Sequence, residues 1–254
     1  MHNPTLRVLG VLQEITKSPG GIRLADLSRQ LQIPKTTLLP IVQTLCQTRY
    51  LSADEHGIYS AGTALFSLGS SFSGCFPVLD YVRSELEALV AELGETCYCG
   101  TLEDGLVLYL DKVDSPQPLR VLTSTGKRLP AYATSIGKAL LLDCSEAQLF
   151  SLYPEGLTPL TKNTISDVPT LSEQLSESFQ AGYTWEIEES TDHVRCFAVP
   201  IRKKGRIVAA ISVAIPLFRF REEDRLHIIE TLKRHAQQMG VTFENTDAHF
   251  ASAF

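Results

Sequence analysis

Near Gly94 the apolar residues of this 254-residue chain change their period, and that change limits what the chain can fold into. Ahead of it the spacing is helical. Residues 76–93 carry Val78, Leu79, Val82, Leu86, Leu89, Val90 and Leu93 on one side, and Gly94 is placed to end that helix. From Glu95 the segments ETCYCGTL, LVLYLDKV and LRVLTS read as strands, with a tight turn at Asp104-Gly105 between the first two. Helical spacing returns near 135–142, 145–153 and 168–180. The strands YTWEIE, CFAVPI and IVAAISVAI follow, the last two hinged at Lys203-Lys204-Gly205, and a helix over roughly 222–242 closes the pattern. Strand pairs with helices set among them, without regular βαβ alternation, predict an α+β domain.

The first sixty residues have a different plan. Residues 5–17 form an amphipathic helix stopped by Ser18-Pro19-Gly20-Gly21, and residues 23–31 form a second. Gln32-Ile33 is a tight connection, and Pro34 suits the first turn of a third helix with Leu38, Ile41, Val42 and Leu45 as its core stripe. Tyr50-Leu51 and Ile58-Tyr59, joined by a turn over 54–57, predict a two-stranded hairpin. Three short helices and a ribbon make a winged helix-turn-helix over 1–61, although a plain helical bundle shows the same pattern. Residues 62–75, small and serine-rich, read as a linker helix, leaving 76–254 as the second domain.

Charge supports this division. Residues 1–75 hold six Lys and Arg against four Asp and Glu, a surplus of +2 in a chain of net charge −6, so the remainder carries −8. A basic head on an acidic body fits a nucleic-acid partner for the head alone. No apolar run approaches the roughly 20 residues that span a bilayer, so no membrane association is expected. The N-terminus lacks a basic segment leading into a long apolar one, and a cytoplasmic location is expected. Six cysteines scattered through such a chain read as free thiols. Cys97 and Cys99 would share one face of a strand, yet no Cys/His cluster stands near them, and neither metal nor cofactor is expected.

The segment LPAYATSIGKALLL (129–142) is the most informative motif. A phosphate loop needs glycine five residues before the Gly-Lys glycine and Ser or Thr after the lysine; Tyr132 and Ala139 stand there instead. A catalytic lysine needs a reacting partner, and none is visible. Two readings remain. Ser135, Ile136 and Gly137 could open a helix whose free N–H groups and close backbone approach receive a small ligand, or Gly137 and Ala139 could simply permit tight packing.

Five blocks in order resemble the IclR family of bacterial transcription regulators: LADLSRQLQIPKTTL, LGETCYCGTLEDGLVLYLDKVDSPQPL, GKRLPAYATSIGKALLL, GYTWEIEESTDHVRCFAVPI and AAISVAIP. The resemblance implies a winged helix that binds double-stranded operator DNA and a GAF-like antiparallel-sheet domain that binds a small effector, often a small organic acid. It also implies a homodimer or homotetramer without enzymatic activity, expected to act as a repressor. It places Ser135, Ile136, Gly137, Glu186, Cys196, Ser212 and Ala214 at the effector. In the head, the start of the third helix reaches base edges in this motif, giving Lys35, Thr36 and Thr37, with Pro40 and Gln43 further along and Arg29 toward the backbone. The chain departs from the family pattern at Pro40 (usually Arg), Tyr132 (usually His), Ile136 (usually smaller), Asp192-His193 (often glycine) and Ala214-Ile215 (usually Ser-Gly). Two other readings stay open: a thiol redox enzyme using Cys97, Cys99 and Cys196, and a degenerate regulator that binds partners rather than DNA.

Overall fold

The computed structural model describes residues 2–18, 20–74, 78–119, 121 and 124–245, with 71–74 described by their backbone alone. They form two compact units, Met1–Cys75 and Phe76–Phe254.

In the first unit, α1 (Asn3–Thr16), β1 (Ile22–Arg23), α2 (Leu24–Leu31), α3 (Lys35–Gln47), β2 (Leu51–Ala53), β3 (Ile58–Ala61) and α4 (Thr63–Gly74) follow in order. The core is Val11, Ile15, Ile22, Leu27, Leu38, Val42, Leu45 and Leu51, supplied mainly by the helical stripes of α1–α3. Gln32 takes a left-handed φ of 54° to turn α2 into α3, and Ser28 Oγ donates to Ile33 O at 2.7 Å to hold the turn. Pro34 caps α3 from outside the helix. The ribbon has three strands, ordered β1-β3-β2, where the sequence pattern predicts two. Gly21 explains the third: a Cβ there would lie 2.4 Å from Ile58, so only glycine lets the chain pass close enough for Ile22 to pair with Tyr59. At the hairpin tip, Asp54 Oδ1 accepts from the backbone N–H of His56 and Ile58.

The second unit comprises α5 (Val78–Leu93), β4 (Thr96–Glu103), β5 (Leu106–Val113), β6 (Arg128–Pro130), α6 (Ser135–Leu140), α7 (Glu146–Leu152), α8 (Val168–Ala181), β7 (Thr184–Ile187), β8 (Val194–Lys203), β9 (Arg206–Pro216) and α9 (Arg225–Asn245). The six strands make one antiparallel sheet ordered β6-β5-β4-β9-β8-β7. Strand alternation divides its side chains between two cores. Cys97, Cys99, Phe197, Val199, Ile211 and Val213 face α5 and α9. Tyr98, Val107, Tyr109, Ala198, Ala210 and Ala214 face α6, α7 and α8.

The strand expected over 119–124 is not found: Leu119, Val121 and Ser124 lie outside any strand, and residues 120, 122 and 123 lie outside the described residues. Gly126 turns the chain at φ +79° and bonds Tyr109 O, so pairing with β5 begins only at Arg128. Pro130 is tolerated in β6 because that strand is an edge.

Candidate functional site

The α6 side of the sheet is paved with small residues. Tyr98 of β4 stands opposite Ser212 of β9, which stands opposite Ala198 of β8; Cys196 stands opposite Ala214. Gly100 leaves room for Ile136, whose Cδ1 lies 3.3 Å from where a Cβ on that glycine would be. The six-residue α6 therefore lies directly on the strands, and Thr184 Oγ1 donates to Ser135 O at 2.7 Å to hold its first turn. Between that turn and the strands is a cavity of about 30 Å³. That is room for one water-sized group, far below the roughly 300 Å³ of an ordinary small-molecule site, so a larger occupant requires the wall to move outward.

Five of the seven residues expected at the effector line this cavity: Ser135, Ile136, Cys196, Ser212 and Ala214. Gly137 does not. A Cβ on it would lie 2.2 Å from Ala131 O, and its N–H is taken by Thr134 Oγ1 at 3.1 Å, so this glycine serves packing and offers no free amide. Glu186 does not line the cavity either. It is fully buried, and its Oε2 accepts from Glu189 N at 2.7 Å and its Oε1 from Ser190 Oγ at 3.1 Å. Burial holds its carboxyl above the usual range.

The cavity also has walls that the sequence did not single out. Tyr98 and Tyr109 meet edge to face at 5.4 Å, and Tyr98 donates to Val121 O. The signal was present in β4: if Cys97 and Cys99 share one face, Tyr98 must occupy the other. Ser212, 4% exposed, makes no hydrogen bond to another described residue through its hydroxyl. Tyr132 lies away from the cavity, donating to Thr158 O at 2.8 Å and packing edge-on against Tyr153.

Lys138 is completely buried and donates to Glu189 Oε1 at 2.6 Å. It is a structural residue, not one at a pocket rim. Burial pulls each partner toward its neutral form, and their mutual contact opposes this. The backbone carbonyl of Glu189 accepts from Thr164 Oγ1 at 2.6 Å, which ties the 188–193 loop to the 158–165 segment.

The three cysteines of the redox reading do not meet. Cys97 and Cys99 face the α5–α9 core, whereas Cys196 faces the cavity on the opposite side of the sheet. Burial pushes the Cys99 thiol up to about 12 and raises the other two as well, the reverse of an activated thiolate.

In the head, α3 buries Leu38, Val42 and Leu45 and exposes Lys35, Thr36, Leu39, Pro40 and Gln43, while Thr37 is half-buried. Leu39, 40% exposed, is a member of this face that polar-residue reasoning passes over. The helix is continuous from Lys35 to Gln47 through Pro40. Proline has no N–H for the carbonyl of Thr36, and Thr44 Oγ1 donates to Pro40 O at 2.8 Å. Arg29 is exposed and sits 3.2 Å from Asp26, an arrangement that constrains the guanidinium little.

Residues 5–55 match the IclR helix-turn-helix domain, and residues 75–241 match the C-terminal domain of the bacterial transcriptional regulator IclR. The chain is 29% identical over 252 residues to the transcriptional regulator KdgR of Escherichia coli K12, covering 96% of this chain and 94% of that protein. It is 29% identical over 220 residues to the transcriptional repressor AllR of the same organism, covering 85% and 81%. Among solved structures, an IclR regulator from Alicyclobacillus acidocaldarius superposes with a TM-score of 0.84 at 23% identity, covering 95% of this chain and 98% of that one. An IclR homologue from Microbacterium hydrocarbonoxydans, in complex with 4-hydroxybenzoate, superposes with a TM-score of 0.81 at 22% identity, covering 96% and 100%. Both domain matches fall in chain order and the fold agrees along nearly the whole length: the chain belongs to the IclR family of bacterial transcriptional regulators.

Proposed function

We propose that this regulator is a ligand-responsive repressor without enzymatic activity. The head holds operator DNA through the outer face of α3, with Lys35, Thr36, Thr37 and Gln43 toward the major groove, Arg29 toward the backbone and position 40 beside a phosphate. A small molecule enters beside Ser135, Ile136, Cys196, Ser212 and Ala214 and weakens DNA binding. The chain acts as a homodimer or homotetramer, since two heads match the symmetry of a palindromic operator. The observation that carries the ligand response is Ser212, a hydroxyl on an apolar strand that lines the cavity and has no hydrogen-bond partner among the described residues. The repressor names of relatives such as AllR support the sign of regulation.

The test is selection of genomic fragments by the full chain, followed by addition of small metabolites to the selected complex. Enrichment of a shared sequence that a metabolite then releases is the expected result. Absence of any enriched sequence would overturn the reading of the head, and release that persists in Ser212→Val would overturn the reading of the cavity.

A further inference from the structure

The outer face of α3 carries one residue that its polar neighbours do not explain. Thr36, Leu39 and Gln43 follow at i, i+3 and i+7, which puts them on one stripe of the helix, with Lys35 and Pro40 to either side. All five are exposed. Leu39 is the one large apolar side chain that α3 exposes among the described residues. It belongs neither to the core of the head nor to the partly buried residues packed against that core. Packing of the head therefore gives no reason for a leucine here.

The chemistry of the duplex gives one. In the major groove every base edge presents hydrogen-bonding atoms, and thymine alone adds an apolar group, its C5 methyl. A leucine laid over donors and acceptors strips them of water and offers nothing in return. Laid over a thymine methyl, it removes apolar surface from water on both partners. The commonest base contact, Arg to guanine, is absent from α3, whose single charged residue is Lys35 at the helix start. Hydrogen-bond readout along the stripe is confined to Thr36 and Gln43. Leu39 stands between them, about one helical turn from each.

We propose that Leu39 is a specificity-determining residue of the head: it packs on the C5 methyl of one thymine in each operator half-site and so selects a T·A pair there. This rests on the reading of the outer face of α3 as the surface laid in the major groove. The contact neutralises no phosphate, so its contribution does not depend on salt, in contrast to a cation at position 40.

The experiment uses the full chain and a duplex that it selects from random sequence. Each thymine is replaced in turn by uracil, which keeps the base pairing and removes the methyl alone. One replacement in each half-site should weaken binding about fourfold, the equivalent of one buried methyl. Leu39→Ala should bind the thymine duplex less tightly and should bind the thymine and uracil duplexes equally, with the slope of log K against log salt unchanged. Leu39→Met, which keeps an apolar end, should retain the preference. Leu39 lies outside the core, so these variants are expected to fold, and the uracil scan of the unmodified chain is independent of them. If every uracil duplex binds the unmodified chain as the thymine duplex does, or if the uracil penalty persists in Leu39→Ala, the proposal is overturned and the DNA-binding face stands. Failure to select any duplex would overturn the reading of that face and the proposal with it.

Discussion

Gly137 shows how one residue's role depends on what comes back to meet it. Its place after Thr134 and Ser135 is equally consistent with a ligand contact and with tight packing, because both require a missing side chain. The backbone of Ala131 stands where a Cβ would be, which settles the matter in favour of packing. Gly137→Ala should lower stability by about 1–3 kcal/mol through overpacking, read as a lower urea midpoint at unchanged slope. An unchanged midpoint would show that Ala131 yields freely. His193 makes the complementary point: it occupies φ +61° where the family often has glycine, and its N–H bonds Glu188 Oε1 at 2.9 Å, so a side chain is held where glycine would be unstrained.

Between elements, the decisive contacts are ionic and far apart in sequence. Lys138 on α6 and Glu189 beyond β7 form a buried pair. Lys138→Met should cost about 3–5 kcal/mol because it strands a buried carboxylate, and adding Glu189→Leu should recover most of that loss. A double variant no more stable than the single one would remove the pair from the account. On the other face of the sheet, His235 of α9 sits between Glu85 and Glu92 of α5, with its ring nitrogens 2.6 and 3.2 Å from the two carboxylates. The His235 hydrogen bond is the main cause holding the Glu92 carboxyl below its ordinary 4.5. A depressed carboxyl contributes stability that is present above its unfolded pKa and lost as pH falls through the folded one. Glu92→Gln should therefore be less stable at pH 7, by under about 1 kcal/mol because the side chain is partly exposed, and should converge on the parent below pH 4.5. A constant gap in urea midpoints from pH 7 to 3 would contradict this. In the head, Pro40 occupies the exposed face of α3. Pro40→Arg should tighten DNA binding on many sequences and steepen the slope of log K against log salt by about 1. An unchanged slope and affinity would mean that position 40 does not face the duplex.

For the molecule as a whole, the proposed ligand response requires a free-energy coupling between the cavity beside α6 and the proposed DNA-binding face. A coupling of about 1–3 kcal/mol corresponds to a 5- to 150-fold change in operator affinity at saturating ligand. The coupling is reciprocal, so operator DNA should weaken ligand binding by the same factor. Titrating ligand with and without a selected duplex checks this, and equal ligand affinities in the two titrations would sink the coupled scheme. Cavity size bears on it as well: a site of about 30 Å³ must enlarge to receive most metabolites, so binding has to move the wall.

The sequence by itself determined the helices, most of the strands and the antiparallel character of the second unit. It also determined which residues of α3 face outward, and it placed five of the seven expected effector residues at one cavity. These follow from local rules: a 3.6-residue or two-residue period is imposed by the backbone, and Asp104-Gly105 is a turn because its positive φ values are local properties. Only the tertiary structure decided that Glu186 stands behind the wall rather than in it, that Lys138 meets Glu189, that β1 joins the ribbon and that β6 begins at Arg128 rather than Leu119. Each of these depends on a segment returning from tens of residues away to fill a space or take a hydrogen bond, and the period of a strand does not state which neighbour it will meet or in what register.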